Sequence, residues 1–188
     1  DYRTAHAIYE RAFEITQRVL GTYHPETATS LNNLAVLFKI QGQYDYARLF
    51  CEQALAIREQ VLEPQHPDIA TSLNNLASLD QSQGNFSEAL PNYRRALAIR
   101  EHSLGSFHPD TATSMNNLGL LLKDLGDYEE AQRLYERALV IREHVLGTNH
   151  LDIAQSLNNL GALYLRKGDR GKARPYLERA FAIREKVL

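Results

Sequence analysis

The strongest constraint on this chain is a phrase that it repeats. His-Pro-Asp-Thr-Ala-Thr-Ser-Met-Asn-Asn-Leu, residues 108–118, has near-copies beginning at His24, His66 and His150, each 42 residues from the next. The pairs Asn32-Asn33, Asn74-Asn75, Asn116-Asn117 and Asn158-Asn159 recur in step. So do Gly42, Gly84, Gly126 and Gly168, and Ala12, Ala54, Ala96, Ala138 and Ala180. A fixed period of this length marks an array whose units bury their apolar faces against their neighbours, so no single globular core is needed. The sequence reads as one array over residues 1–188: a partial unit at 1–20, then full units at 21–62, 63–104, 105–146 and 147–188.

Each full unit reads as two helices. His-Pro-Asp/Glu opens the first, helix A, because proline suits the first helical position and an acidic neighbour meets the positive helix end. In the fourth unit Leu151 replaces the proline and Asp152 keeps the charge. Helix A is expected at residues 25–41, 67–83, 109–125 and 151–167, with Leu31, Leu34, Leu37 and Phe38 as its apolar stripe. Ala35, Ala77, Gly119 and Gly161 put a small residue on that stripe, where another helix can come close. The glycines at 42, 84, 126 and 168 end helix A. Helix B follows, entered by Tyr44, Phe86 or Tyr128, carrying Ala47, Cys51, Ala54 and Leu55, and closing with Ala-Ile-Arg-Glu. Asp127 followed by Glu130 reads as a capping box. Tyr2, Ala5, Tyr9, Ala12 and Phe13 give the partial unit the same helix B pattern.

Gly21, Gly105 and Gly147 stand where helix B ends and positive φ is needed; Glu63 takes that place once and is expected to be mildly strained. Pro91 and Pro175 each remove one hydrogen bond early in helix B. The expected fold class is all-α: about nine helices, antiparallel in pairs and stacked as a right-handed superhelix.

Net charge is -2, so no global field favours nucleic acid or an anionic membrane, and the variable positions lack interleaved aromatics. The lone Cys51 excludes an internal disulfide and suits a reducing, cytoplasmic compartment. No apolar run approaches the roughly 18 residues of a membrane span.

The pattern Leu34-Ala35, Phe38, Gly42, Tyr44, Ala47, Cys51 and Ala54 resembles the tetratricopeptide repeat. The 42-residue period, the His-Pro-Asp loop, Asn-Asn-Leu-Ala and Ala-Ile-Arg-Glu resemble its kinesin-light-chain type. The resemblance covers the whole chain. It implies a groove lined by the A helices that binds short peptides, and a superhelical solenoid. Carboxylate-clamp repeats of this family place Lys or Arg where Thr113 and Asn117 stand here, which argues against chaperone C-termini as ligands.

Catalytic and metal chemistry find no support. His24, His66, His108 and His150 are one unit apart and cannot converge on an ion that needs ligands about 2.0–2.3 Å away. They read as helix-boundary residues. Cys51 sits where other units hold Tyr9, Tyr93, Tyr135 and Leu177, so it reads as a packing residue. No cofactor motif occurs.

The groove stripe of helix A carries the asparagines. Asparagine costs about 0.5 kcal/mol relative to alanine in a helix interior, so paired asparagines at Asn32, Asn33, Asn74, Asn75, Asn116, Asn117, Asn158 and Asn159 call for a reason. Their amides can hydrogen-bond the backbone of an extended peptide, or pin one unit to the next. The favoured split gives Asn33, Asn75, Asn117 and Asn159 to ligand. Lys39, Lys123 and Arg166 add positive charge to the groove, which suits a carboxylate-bearing peptide. Asp80 stands at the core-facing position of Phe38, Leu122 and Tyr164; an unpaired buried carboxylate is costly, so it is either exposed or paired, and exposure with looser packing around residues 78–86 is expected.

The expected function is a scaffold that binds a peptide or protein segment, without nucleic acid, membrane or cofactor. Two alternatives stay open: self-association through solenoid ends bearing Tyr9, Phe13, Tyr176 and Phe181, or a sensor region of a larger signalling ATPase.

Overall fold

The computed structural model describes the backbone of residues 2–187 and the side chains of residues 4–187. The side chain of Tyr2 and all of Leu188 therefore lie outside the described residues. Among those described, all regular structure is helical: α1 (Tyr2–Leu20), α2 (Pro25–Ile40), α3 (Tyr44–Val61), α4 (Pro67–Ser82), α5 (Phe86–Ser103), α6 (Pro109–Leu125), α7 (Tyr128–Leu146), α8 (Leu151–Arg166) and α9 (Arg170–Val187). Two compact units divide the chain between Ile99 and Arg100, within α5. In the first, α2 packs on α1, α3 and α4; in the second, α6 packs on α7 and α8, and α8 packs on α7 and α9.

The histidine explains where each A helix begins. His24 accepts a hydrogen bond at Nδ1 from the Glu26 N–H at 3.2 Å, and His66, His108 and His150 do the same for Asp68, Asp110 and Asp152 at 3.1 Å. The imidazole thus satisfies one of the donors that every helix N-terminus leaves unpaired. Proline follows it in α2, α4 and α6, where its missing N–H removes another. Asp127 caps α7 by accepting from the Glu130 N–H at 3.1 Å. Gly126 ends α6 at φ 86°, a left-handed conformation that side chains resist.

Two expectations fail here. Glu63 is not strained, because no described non-glycine residue has positive φ. Instead Leu62 leaves α3 in an extended conformation, at φ -113° and ψ 157°, and the loop turns by a different route. Asp80 is not exposed either. It is 1% accessible, and its carboxylate accepts from the Arg48 guanidinium, which also reaches Gln83 Oε1 at 3.0 Å. Leu79 beside it is equally buried. The ion pair ties α3 to α4 and supplies the partner that a buried carboxylate requires.

Removing one member of a buried pair leaves the other charge uncompensated, at a cost of about 3–5 kcal/mol. Arg48→Ala should therefore destabilise the fold by that order in urea unfolding. Arg48→Ala combined with Asp80→Leu, the residue at the equivalent Leu122, should recover most of the loss. A single and double variant of equal stability would show that the pair is not coupled.

Candidate functional site

The A-helix face is built on a buried polar network that holds successive repeats together. Arg58 on α3 is 3% accessible, and its Nη1 donates to the Asp68 carbonyl at 2.8 Å and Ser72 Oγ at 3.0 Å, both on α4. Its Nη2 donates to Thr29 Oγ1 on α2 at 2.9 Å. Asn32 on α2 closes the network by donating from Nδ2 to Ser72 Oγ at 2.9 Å. The second unit repeats it: Arg142 donates to the Asp152 carbonyl and Ser156 Oγ, each at 2.9 Å, and Asn116 donates to the same serine at 3.2 Å. Arg100 reaches the Asp110 carbonyl and Ser114 Oγ, each at 3.0 Å. Burial lowers the Arg58 and Arg142 pKa values, opposed by the charges of nearby Asp68 and Asp152. The guanidinium groups face neutral oxygens and hold them in place.

The asparagines divide by position. Asn32, Asn74 and Asn116 are buried. Asn74 and Asn116 also donate back to the carbonyls of Ala70 and Ala112, at 3.0 and 3.2 Å. Asn33 is exposed, and Asn75 and Asn117 are half-buried. The fourth repeat inverts the arrangement: Asn159 is buried and donates to Asn116 Oδ1 at 3.2 Å, while Asn158 is half-buried. The equivalent acceptor in the first unit, Asn32 Oδ1, has no hydrogen-bond partner although it is buried.

The cations are spread differently from the asparagines. Lys39 is half-buried, donates to Ser78 Oγ, and has its pKa lowered by that burial. Lys123 pairs with Asp124 at 3.6 Å, which offsets the charge that it brings to the second unit, and Arg166 is exposed. In the first unit a pocket of about 280 Å³ opens between α2, α3 and α4. Val36 and Ile40 form its apolar walls, Ala35 and Cys51 its floor, and Lys39 and Asn75 its polar rim. Burial pushes the Cys51 thiol up to about 12, so it is a neutral lining group.

Sequence reasoning missed the Arg58, Arg100 and Arg142 series with its serines. The signal was present: an arginine within the apolar end of helix B, and Ser72, Ser114 and Ser156 at the same period. Of the residues assigned to the solenoid ends, Phe181 is 63% and Tyr9 37% accessible, Phe13 is half-buried, and Tyr176 stacks on Tyr164 at 5.6 Å. Among the described residues no three His, Cys, Asp or Glu side chains cluster to hold a metal ion, and no helix is long and apolar enough to cross a membrane.

Comparison with known proteins agrees with this architecture. Matches to the tetratricopeptide repeat cover residues 1–60, 36–102, 68–143 and 110–186. The chain belongs to the tetratricopeptide repeat family. Its similarity to the crystal structure of BtubC (BKLC) from P. vanneervenii gives a TM-score of 0.83 at 32% identity, covering 99% of this chain and 74% of that one. A putative kinesin light chain from Podosopora anserina with nearly identical TPR-like repeats gives 0.75 at 29% identity, covering 98% and 88%. The apo form of RapI shares the fold, with a TM-score of 0.80 at 18% identity over 99% of this chain and 65% of that one. No curated protein matches the sequence. The chain is an all-α helical solenoid of kinesin-light-chain-like repeats, and these repeats make it a protein-interaction scaffold.

The two members of one asparagine pair should separate by stability. Asn32→Ala removes a buried hydrogen bond and should cost about 1 kcal/mol, whereas Asn33→Ala, at an exposed helical site, should be neutral or slightly stabilising. Thermal unfolding of both variants checks this; equal losses would contradict the division.

Proposed function

We propose that this scaffold binds an extended peptide or protein segment along the groove face of its A helices, in the cytoplasm and without catalysis. The observation that carries the reading is the pocket in the first unit, where apolar walls and an unpartnered amide share one opening. Among the described residues the Asn75 side chain makes no hydrogen bond within the protein, so its two donors and its carbonyl oxygen are available to a ligand backbone. Asn33 on α2 presents a second such amide. Extended peptides repeat one backbone pattern whatever their sequence, and repeated amides suit that pattern. Lys39, held partly out of water, favours a carboxylate nearby. The buried Asn32, Asn116 and Asn159 serve the scaffold, and Asn117 and Asn158 line the groove at its margin.

Screening the chain against a random peptide display library tests the reading. Enriched peptides should lose at least tenfold in affinity for an Asn33→Ala/Asn75→Ala variant whose helicity is intact. Unchanged binding would remove these amides from the ligand site, and a library without enrichment would oppose groove binding itself.

Exposed Ile8, Ile15 and Val19 on α1, and Phe181 on α9, favour a second reading, self-association through these faces. Light scattering should then show a mass that rises with concentration; a constant monomer mass would exclude it.

A further inference from the structure

We propose that Cys51 is the specificity-determining residue of this groove, because it leaves open in the first repeat a side-chain pocket for a tyrosine of the bound peptide. The inference rests on the groove reading above and goes further by naming the side chain that is recognised.

The argument begins with what the other repeats place at the same position. Tyr93, Tyr135 and Leu177 stand 42, 84 and 126 residues after Cys51, and each points its side chain towards its own helix A. The Tyr93 hydroxyl donates to Gln81 Oε1 at 3.2 Å and also bonds Ser78, on α4. The Tyr135 ring lies so near α6 that a methyl group built on Gly119 would stand 2.7 Å from its Cε1. Leu177 Cδ2 would lie 2.5 Å from a methyl group built on Gly161. Position for position, these A-helix residues correspond to Ala35, Val36 and Lys39 in the first repeat. Those three, with Cys51, line the open pocket. Where three repeats fill the space with their own side chain, the first repeat leaves about 280 Å³ empty.

The same comparison names the occupant. The protein fills this volume with tyrosine twice and leucine once, so a side chain of that size and polarity fits the local geometry. Gln81, which accepts from the Tyr93 hydroxyl, is replaced by Lys39, whose amine can donate to a phenolic oxygen. Asn75, on the rim, is placed to bond the peptide backbone beside that residue. The pocket walls, Val36 at 43% and Ile40 at 58% accessible, are apolar groups that an entering ring would cover. A cationic side chain is disfavoured by Lys39.

Two measurements on the whole chain test the proposal. In the first, p-cresol, the tyrosine side chain without its backbone, is titrated into methyl-labelled protein. The methyl resonances of Ala35, Val36 and Ile40 should shift in the wild type and not in Cys51→Tyr; no shift in the wild type would overturn the pocket. In the second, display selection should enrich peptides sharing one tyrosine. Their affinity should fall at least tenfold for Cys51→Tyr, and replacing the peptide tyrosine by alanine should then cause no further loss. Cys51→Tyr should fold, since Ala77 beside Tyr93 shows that alanine at the facing position tolerates the ring with both residues buried. Cys51→Leu, patterned on Leu177, is the second variant if melting shows otherwise. If folded Cys51→Tyr or Cys51→Leu binds the selected peptides as tightly as the wild type while Asn33→Ala/Asn75→Ala does not, the pocket proposal is overturned and the groove reading stands. If p-cresol binds and no peptide is enriched, the occupant is a free phenolic molecule and the peptide tyrosine is overturned.

Discussion

The structure depends on a buried guanidinium that belongs to one repeat and hydrogen-bonds the next. Arg58 and Arg142 each reach forward to a main-chain carbonyl in the first turn of the following A helix and to a serine one turn later. An arginine in the apolar interior is costly unless its donors are placed, and here Nη2 bonds a threonine of the arginine's own repeat while both bonds of Nη1 form only when the neighbouring repeat is docked. The contact therefore sets register. A helix pair sliding by one turn would lose the serine, the carbonyl and the amide of Asn32 or Asn116 together. Hydrophobic burial supplies most of the adhesion between repeats, but it is nondirectional. The arginine contact is the directional element that makes one stacking position preferred over its neighbours.

Much of this was legible in the sequence, because a repeat array encodes one solution several times. The A helices begin at the expected proline or leucine and end one or two residues before the expected glycine turns. Helix boundaries are local problems of capping and backbone freedom, and Gly126 and Pro109 carry that information without reference to the rest of the chain. The histidines were placed correctly at the boundary, yet the reason, an imidazole nitrogen accepting from the helix, lies in a rotamer that spacing does not show. Tertiary partners were harder. Asp80 looked misplaced because the sequence gives no sign that Arg48, 32 residues earlier, lies across the helix interface. The asparagine pairs were ambiguous for a related cause. Two adjacent helical residues point about 100° apart, so one can face the neighbour and the other the groove. Asn159, which faces the interior beside Asn116, shows that the division is set by local helix packing in each repeat, beyond the reach of a repeated motif.

What repeats and what varies do different work in such an array. The residues that recur, the histidine caps, the arginines, the serines and the first asparagines of three pairs, are occupied by their neighbours and hold the stack. Departures from the pattern are where new surface appears, and in the first unit they fall together. Cys51 replaces a tyrosine and Asp80 replaces an apolar residue. Lys39 lines the same pocket as Cys51, and the Arg48–Asp80 pair ties together the two helices, α3 and α4, that also border it. Leu79 lines that pocket and precedes Asp80, so the Arg48–Asp80 pair clamps the end of α4 that forms one wall. A pocket made by shrinking one side chain would ordinarily collapse inward, since interiors are close-packed and empty space is unfavourable. An ion pair beside it resists that collapse, because closing the gap would move two charges from the geometry in which each satisfies the other. Cavity and clamp together are what a preformed binding site requires, and neither is expected from a helix pair that only has to stack.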